Sequence, residues 1–170
     1  MLISFFNLNR SKFCAKNLVK LLHSGSSQGN KTVLPSNKFE SKSKYDIISF
    51  VDDDNFIPPN WVEYQYKTFL NPEIGILGCT SIGHFDFQIP LWYEKEKLNF
   101  ATGALYSCSL CDITPDGAVY GAGMTLRKEI YSNLFSKNWQ PFLTGRIGKT
   151  QMGGEDSELT FAARLLGYKI

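Results

Sequence analysis

Asp52, Asp53 and Asp54 follow one another directly after a run of β-branched and aromatic residues, Ile47-Ile48-Ser49-Phe50-Val51. Adjacent carboxylates repel one another unless something positive lies between them, and a divalent cation carrying phosphates is one such partner. Mg2+ or Mn2+ takes one or two protein carboxylates and fills its other positions with water and substrate phosphate oxygens. Residues leaving a strand point alternately to its two sides, so Asp52 and Asp54 could face a metal while Asp53 faces the other way. The same residue types also suit a solvated acidic turn ahead of a helix. A phosphorylated substrate, such as a sugar nucleotide, is the chemistry that these carboxylates point to first.

A second acidic group, Glu155-Asp156, is entered through Gly153-Gly154 at the start of a helical pattern. Asp and Ser at a helix N-terminus satisfy free N–H groups and the macrodipole, which is reason enough for them to be there. The glycines add a second reading, because they let backbone approach a ligand closely and hold a carboxylate where it could take a proton from an attacking hydroxyl. Between the two acidic groups lies Gly121-Ala122-Gly123-Met124-Thr125-Leu126-Arg127-Lys128-Glu129. Its glycines would make room for a sugar against a sheet, or mark a weakened strand with a bulge. The spacing is neither a dinucleotide fingerprint nor a phosphate-binding Walker loop.

These groups need elements to position them. Residues 46–51 read as a buried strand, a continuous apolar run that ends abruptly in charge. Pro58 and Pro59 suit a helix entry, with Trp61, Tyr64, Gln65 and Phe69 on one face and Asn71-Pro72 as the stop. A short strand is expected over 74–80, a helix over 91–100, a strand over 118–126 and a helix over 127–135. The clearest helix runs from Ser157, with Leu159, Ala162, Ala163 and Leu166 at helical spacing and Gly167 ending it, before a last strand begins at Tyr168. Ahead of all this, residues 1–44 form a poorly defined segment, with one weak amphipathic patch over Lys12 to His23 and a polar tract. Alternating strands and helices predict an α/β domain over 45–170 with a mostly parallel sheet, whose ligands bind beyond the carboxyl ends of the strands.

With 170 residues and 43% hydrophobic content the chain can build one domain with a real core, and two would be cramped. A formal net charge of +2 shows no excess of basic residues, so nucleic acid is not an expected partner. No run of about twenty apolar residues offers a membrane span, although a peripheral membrane contact stays open. Cys14, Cys79, Cys108 and Cys111 lack the spacing of a secreted disulfide scaffold and no cleavable signal peptide precedes them, which makes a reducing cytosol the expected compartment. Cys108-Ser109-Leu110-Cys111 has the gap of a zinc or redox pair, but zinc would need His84 or Cys79 to complete it, and ordinary buried thiols are the expectation.

Taken in order, Phe50-Val51-Asp52-Asp53-Asp54-Asn55, then Gly121 to Glu129, then Gly154-Glu155-Asp156-Ser157-Glu158-Leu159 resemble the family-two inverting glycosyltransferases of the GT-A fold. The resemblance covers Tyr45 to Ile170. It implies that Asp52 and Asp54 are the ends of an Asp-x-Asp motif holding a nucleoside diphosphate through Mn2+ or Mg2+, with Asp53 sharing that work. Asp156 would be the catalytic base and Glu155 a supporting or acceptor-contacting carboxylate, while Gly121, Ala122 and Gly123 would line the donor site. Arg146 and Lys149 would meet diphosphate or acceptor. The implied partners are a nucleotide-sugar donor and a glycan or lipid-linked acceptor, met in the cytoplasm or at the cytosolic face of a membrane. Residues 1–44 do not match the nucleoside-binding half of that family, and no Gln-x-x-Arg-Trp-like segment follows, so an incomplete GT-A-like domain is expected. A metal-dependent nucleotidyl or phosphoryl transferase, and a non-catalytic glycan-binding or partner-dependent fragment, are the alternatives.

Overall fold

A computed structural model describes residues 2–6, 45–52, 55–143, 146–147, 150–151 and 153–170. The amphipathic patch expected over Lys12 to His23 lies outside them, as do Asp53, Asp54 and Lys149. In chain order the elements are β1 (Leu2–Phe6), β2 (Ile47–Val51), α1 (Trp61–Thr68), β3 (Ile76–Leu77), α2 (Tyr93–Glu96) with a 3-10 turn over Lys97–Phe100, β4 (Thr125–Arg127), α3 (Lys128–Ser136), β5 (Arg146–Ile147), β6 (Thr150–Gln151) and α4 (Glu155–Leu165). The protein is a mixed α/β structure. None of its described helices is long and apolar enough to cross a membrane.

Every residue of β2 is buried, because this strand is covered on both faces and flanked by β1 and β4 in a sheet of order β1-β2-β4-β3. Its side chains alternate between two cores, as a pleated strand requires. Ile48 and Phe50 enter the larger one with Leu126, Ile76, Ile130, Leu134, Leu159 and Ala163, which places α3 and α4 on that face. Ile47 enters the smaller one with Phe69, against Val62 and Tyr66 of α1 on the opposite face. Each fully buried Ile, Leu or Phe contributes about 1.5–3 kcal/mol relative to exposure, so the sandwiching of β2 is a main source of stability. Ser49 and Thr125 are directly opposed, and their hydroxyls lie 2.8 Å apart in a buried hydrogen bond.

The sheet departs from the expected parallel arrangement. The β1/β2, β2/β4 and β3/β4 ladders are all antiparallel. Since β2 and β3 each run against β4, they share a direction, joined through α1 as a helical crossover would join parallel neighbours. Strand β4 has inserted between them. The last segment, Tyr168 to Ile170, does reach the sheet beside β3, where Lys169 and Ile74 form a parallel bridge. Only Ile76–Leu77 of the strand expected over 74–80 is a ladder strand, and the helix expected over 91–100 divides into a short α-helix and a 3-10 turn. Tyr64, expected on the inner face of α1, is exposed, whereas Gln65 and Phe69 are buried.

Arg127 fastens this arrangement. It is buried, no salt bridge to it is found among the described residues, and its guanidinium donates to three carbonyls, Ile74 at 2.7 Å, Phe69 at 2.8 Å and Asn71 at 2.7 Å. It also stacks over the Phe69 ring at 5.4 Å. Carbonyls left free where α1 ends favour a cation there, and burial makes their satisfaction matter more.

Tyr131 of α3 is buried, and its hydroxyl has no hydrogen-bond partner among the described residues. Burial pushes its phenol far above the ordinary tyrosine range. Above about pH 10 the unfolded chain therefore loses this proton while the folded chain keeps it, so stability is complete below that pH and falls as pH rises, by up to about 1.4 kcal/mol per unit. Tyr131→Phe removes an unpaired buried hydroxyl. It should raise neutral-pH stability by about 1 kcal/mol and flatten the alkaline decline, read from urea unfolding between neutral and about pH 11. A less stable phenylalanine variant would show that the hydroxyl is paired after all.

Candidate functional site

The site begins where β2 ends. Asp52 is half-buried, and its carbonyl accepts from the Asn55 N–H at 3.2 Å, which turns the chain towards α1. The turn places the start of the acidic run at the carboxyl end of a fully buried strand. Asp53 and Asp54, expected to share the diphosphate and metal contacts, lie outside the described residues.

Residues 121–124 lie against this strand end. The strand expected over 118–126 forms a ladder only from Thr125, and Gly121, Ala122 and Gly123 form a turn instead. The Gly123 N–H donates to the Phe50 carbonyl at 2.8 Å, the Phe50 N–H donates to the Met124 carbonyl at 2.8 Å, and the Met124 N–H closes the turn on the Gly121 carbonyl at 3.2 Å. Gly123 is required there for two reasons. Its φ is +80°, and a Cβ would stand 3.0 Å from the Cβ of Cys79. Gly121 is different, since a Cβ would meet Asp156 at an ordinary 3.7 Å.

Helix α4 brings the second acidic group to the same turn. Gly154 caps the helix with φ +99°, and a Cβ on it would stand 3.0 Å from Leu143. Glu155 and Asp156 therefore occupy the first turn, half-buried. The Gly121 N–H donates to Asp156 Oδ2 at 2.9 Å, and the Ser157 N–H donates to Oδ1 at 2.8 Å. Each oxygen keeps a lone pair for a further donor. Tyr120 lies beside this carboxylate, with its hydroxyl donating to the Leu98 carbonyl at 2.9 Å. Its phenol is held above the ordinary range by burial first, then by the negative charge of Asp156. Strand end, glycine turn and helix start thus form one continuous hydrogen-bonded unit.

Glu158 is a residue that sequence reasoning missed. Its Oε1 accepts from the Phe142 N–H and its Oε2 from the Leu143 N–H, each at 2.7 Å. This two-point clamp fixes the segment leading into the β5/β6 hairpin, in which Arg146 pairs with Gln151. An acidic residue in a first turn is too common to announce such a role, because the two amides it holds belong to a distant loop. Lys149, expected with Arg146 to meet diphosphate or acceptor, lies outside the described residues.

Beside the turn is a cleft of about 110 Å3 lined by Cys79, Tyr106, Cys108, Cys111 and Tyr120. It is small beside the roughly 300–1,000 Å3 of typical small-ligand sites. The cysteines correct the expectation of ordinary buried thiols, since Cys108 and Cys111 are exposed and joined as a disulfide, while Cys79 is half-buried and free. His84, considered as a zinc ligand, packs edge-on against Phe56 at 5.8 Å. Among the described residues no three His, Cys, Asp or Glu groups converge to hold a metal ion. Asp52 is the one member of the acidic run whose position is described, and a single carboxylate is within what Mg2+ accepts when substrate phosphates supply further ligands.

No protein-family model, curated protein or solved structure matches this chain. A functional reading of the site accordingly stands on the motifs and on this geometry.

The two turn glycines differ in a measurable way. Gly123→Ala forces a side chain into positive φ and against Cys79, and should cost about 1–3 kcal/mol of unfolding free energy. Gly121→Ala should cost less than about 1 kcal/mol, since it meets only ordinary contacts. Chemical denaturation of the pair measures the contrast, and equal costs would mean that the turn is not built as described.

Proposed function

We propose that residues 45–170 act as a GT-A-like glycosyltransferase domain, transferring a sugar from a nucleotide-sugar donor to an acceptor hydroxyl with inversion. The observation that carries this reading is the hydrogen bond from Gly121 to Asp156, because it unites the second and third motifs on the strand end that carries the first. Phe50, the Gly121–Met124 turn and Asp156, one part of each motif, are thereby linked by hydrogen bonds, which supports this reading.

In this reading Asp156 is the base. Its carboxylate is oriented by the Gly121 and Ser157 N–H groups, and its remaining lone pairs would take the acceptor hydroxyl's proton as that oxygen attacks the anomeric carbon. The nucleoside diphosphate leaves from the opposite face, which inverts the configuration. Glu155, one residue earlier on the same helix turn, would contact the acceptor, and the Gly121-Ala122-Gly123 backbone would lie against the donor sugar. Asp52, with Asp53 and Asp54 next in sequence, would hold Mg2+ or Mn2+, whose charge when bound offsets that of the diphosphate. The acceptor would be a glycan or lipid-linked saccharide reached from the cytosol.

Transfer and donor hydrolysis with UDP-, GDP- and dTDP-sugars, set against plain nucleoside triphosphates, test the substrate class. Asp156→Asn keeps an oxygen for the Gly121 N–H but loses the base. It should lower the transfer rate by at least about a hundredfold while leaving donor affinity within about twofold, measured by initial rates and by calorimetric titration. Unchanged turnover would remove Asp156 from the base role. Preferential use of plain triphosphates would favour nucleotidyl transfer, and donor binding weaker than about 1 mM without transfer would favour a non-catalytic domain.

A further inference from the structure

The cleft beside the glycine turn gathers three of the chain's four cysteines, and the sugar-transfer chemistry uses none of them. Cys108 and Cys111 form an exposed disulfide across two intervening residues. A bridge closing so short a loop stabilises a fold less than one closing a long loop, and an exposed bridge is open to attack by thiols. Cys79 lines the same cleft as a free thiol. Its sulfur is held in place by two donors, Trp61 Nε1 and Gln65 Nε2, each at 3.4 Å.

We propose that this cleft is a thiol–disulfide exchange site, in which the Cys108–Cys111 pair is reversibly reduced by small thiols and exchanges with Cys79 as a third, internal thiol. In the internal step Cys79 loses its proton to water and its thiolate attacks one sulfur of the pair. The Cys79–Cys108 or Cys79–Cys111 bond forms, the Cys108–Cys111 bond breaks, and the electron pair leaves on the released sulfur, which takes a proton. No net oxidation occurs in that step. Full reduction needs two electrons from two external thiols, the first forming a mixed disulfide with one sulfur of the pair and the second displacing it, so that the two thiols leave joined as a disulfide.

Exchange at Cys79 reaches the turn directly. Gly123 lies so close that a Cβ would stand 3.0 Å from the Cys79 Cβ and 3.5 Å from its Sγ, so a new bond on that sulfur would press on the turn whose Gly121 N–H donates to Asp156. This consequence for activity rests on the sugar-transfer reading, whereas the exchange itself does not.

The full chain carrying Cys14→Ser leaves only these three cysteines and suits the test. Cys108 and Cys111 fall in one tryptic peptide, ending at Arg127, and Cys79 in another, ending at Lys95. After equilibration in glutathione buffers of graded ratio and alkylation, the peptide with both cysteines should shift reversibly between a form lighter by two hydrogens and a doubly alkylated form. Adding Cys108→Ser or Cys111→Ser should trap the remaining cysteine of the pair with Cys79, joining the two peptides in the monomer fraction of a non-reducing gel. A pair that stays doubly alkylated in every oxidising buffer, or the absence of the joined peptide in both variants, would overturn the proposal. The unsubstituted pair supplies the first readout even if one variant fails to fold, and neither readout depends on glycosyl transfer.

Discussion

The two hydrogen bonds between Phe50 and the Gly121–Met124 turn determine where the rest of the site lies. Phe50 is buried within a strand covered on both faces, so its N–H and carbonyl must find protein partners, and an unpaired group there would cost about 1–3 kcal/mol. The turn supplies both. Because it does so at the carboxyl end of β2, the chain that follows must run back along the strand, and β4 is antiparallel for that reason. The Gly121 amide of the same turn points to the helix start, where a carboxylate accepts it. A requirement of burial in the core is thus met by the same residues that orient Asp156.

The supports around this turn divide the work between backbone geometry and charge. Gly123 and Gly154 both take left-handed conformations, one to let the turn meet Cys79 and the strand, the other to let α4 begin against Leu143. Glu158 and Arg127 hold the flanking segments through opposite chemistry, a carboxylate on two amides and a guanidinium on three carbonyls. Among the described residues each ion is met by peptide dipoles. Such charge-assisted bonds are stronger than neutral ones and tie a loop or helix end to one geometry. The surface pairs Lys67–Glu63, Lys97–Glu94 and Lys169–Glu73 do little of this, since all are solvent-exposed.

Much of the fold was legible from residue order because its signals are local. The uninterrupted Ile-Ile-Ser-Phe-Val run predicts a strand buried on both faces, and Ile47–Val51 is one. Helical spacing of Leu159, Ala162, Ala163 and Leu166 predicts the inner face of the last helix; the first three are buried and Leu166 is partly buried against the same core. Gly167 does end that helix region, in a left-handed conformation with the Tyr168 N–H reaching back to the Ala163 carbonyl. Where local signals conflicted, the reading failed. The segment 118–126 mixes strand formers with two glycines, and hydrogen bonds to Phe50 of β2 go with a turn over Gly121–Met124, so that the ladder begins only at Thr125. Alternation of strands and helices does not fix strand direction either, since it does not say which strand will be inserted between two others.

Residue order by itself determined the positions of β2, α1, α3 and α4, the acidic exit of the central strand and the acidic entry to the last helix, since periodicity, proline entry and glycine stops act over a few residues. Only the tertiary structure decided the antiparallel sheet, the bond between Gly121 and Asp156, the clamp by Glu158, and the union of Cys79 with the Cys108–Cys111 pair in one cleft. The physical reason is the same for all four. Each depends on which backbone group or side chain comes to lie opposite another after the core has closed, and packing between distant segments, not the pattern within either, makes that choice.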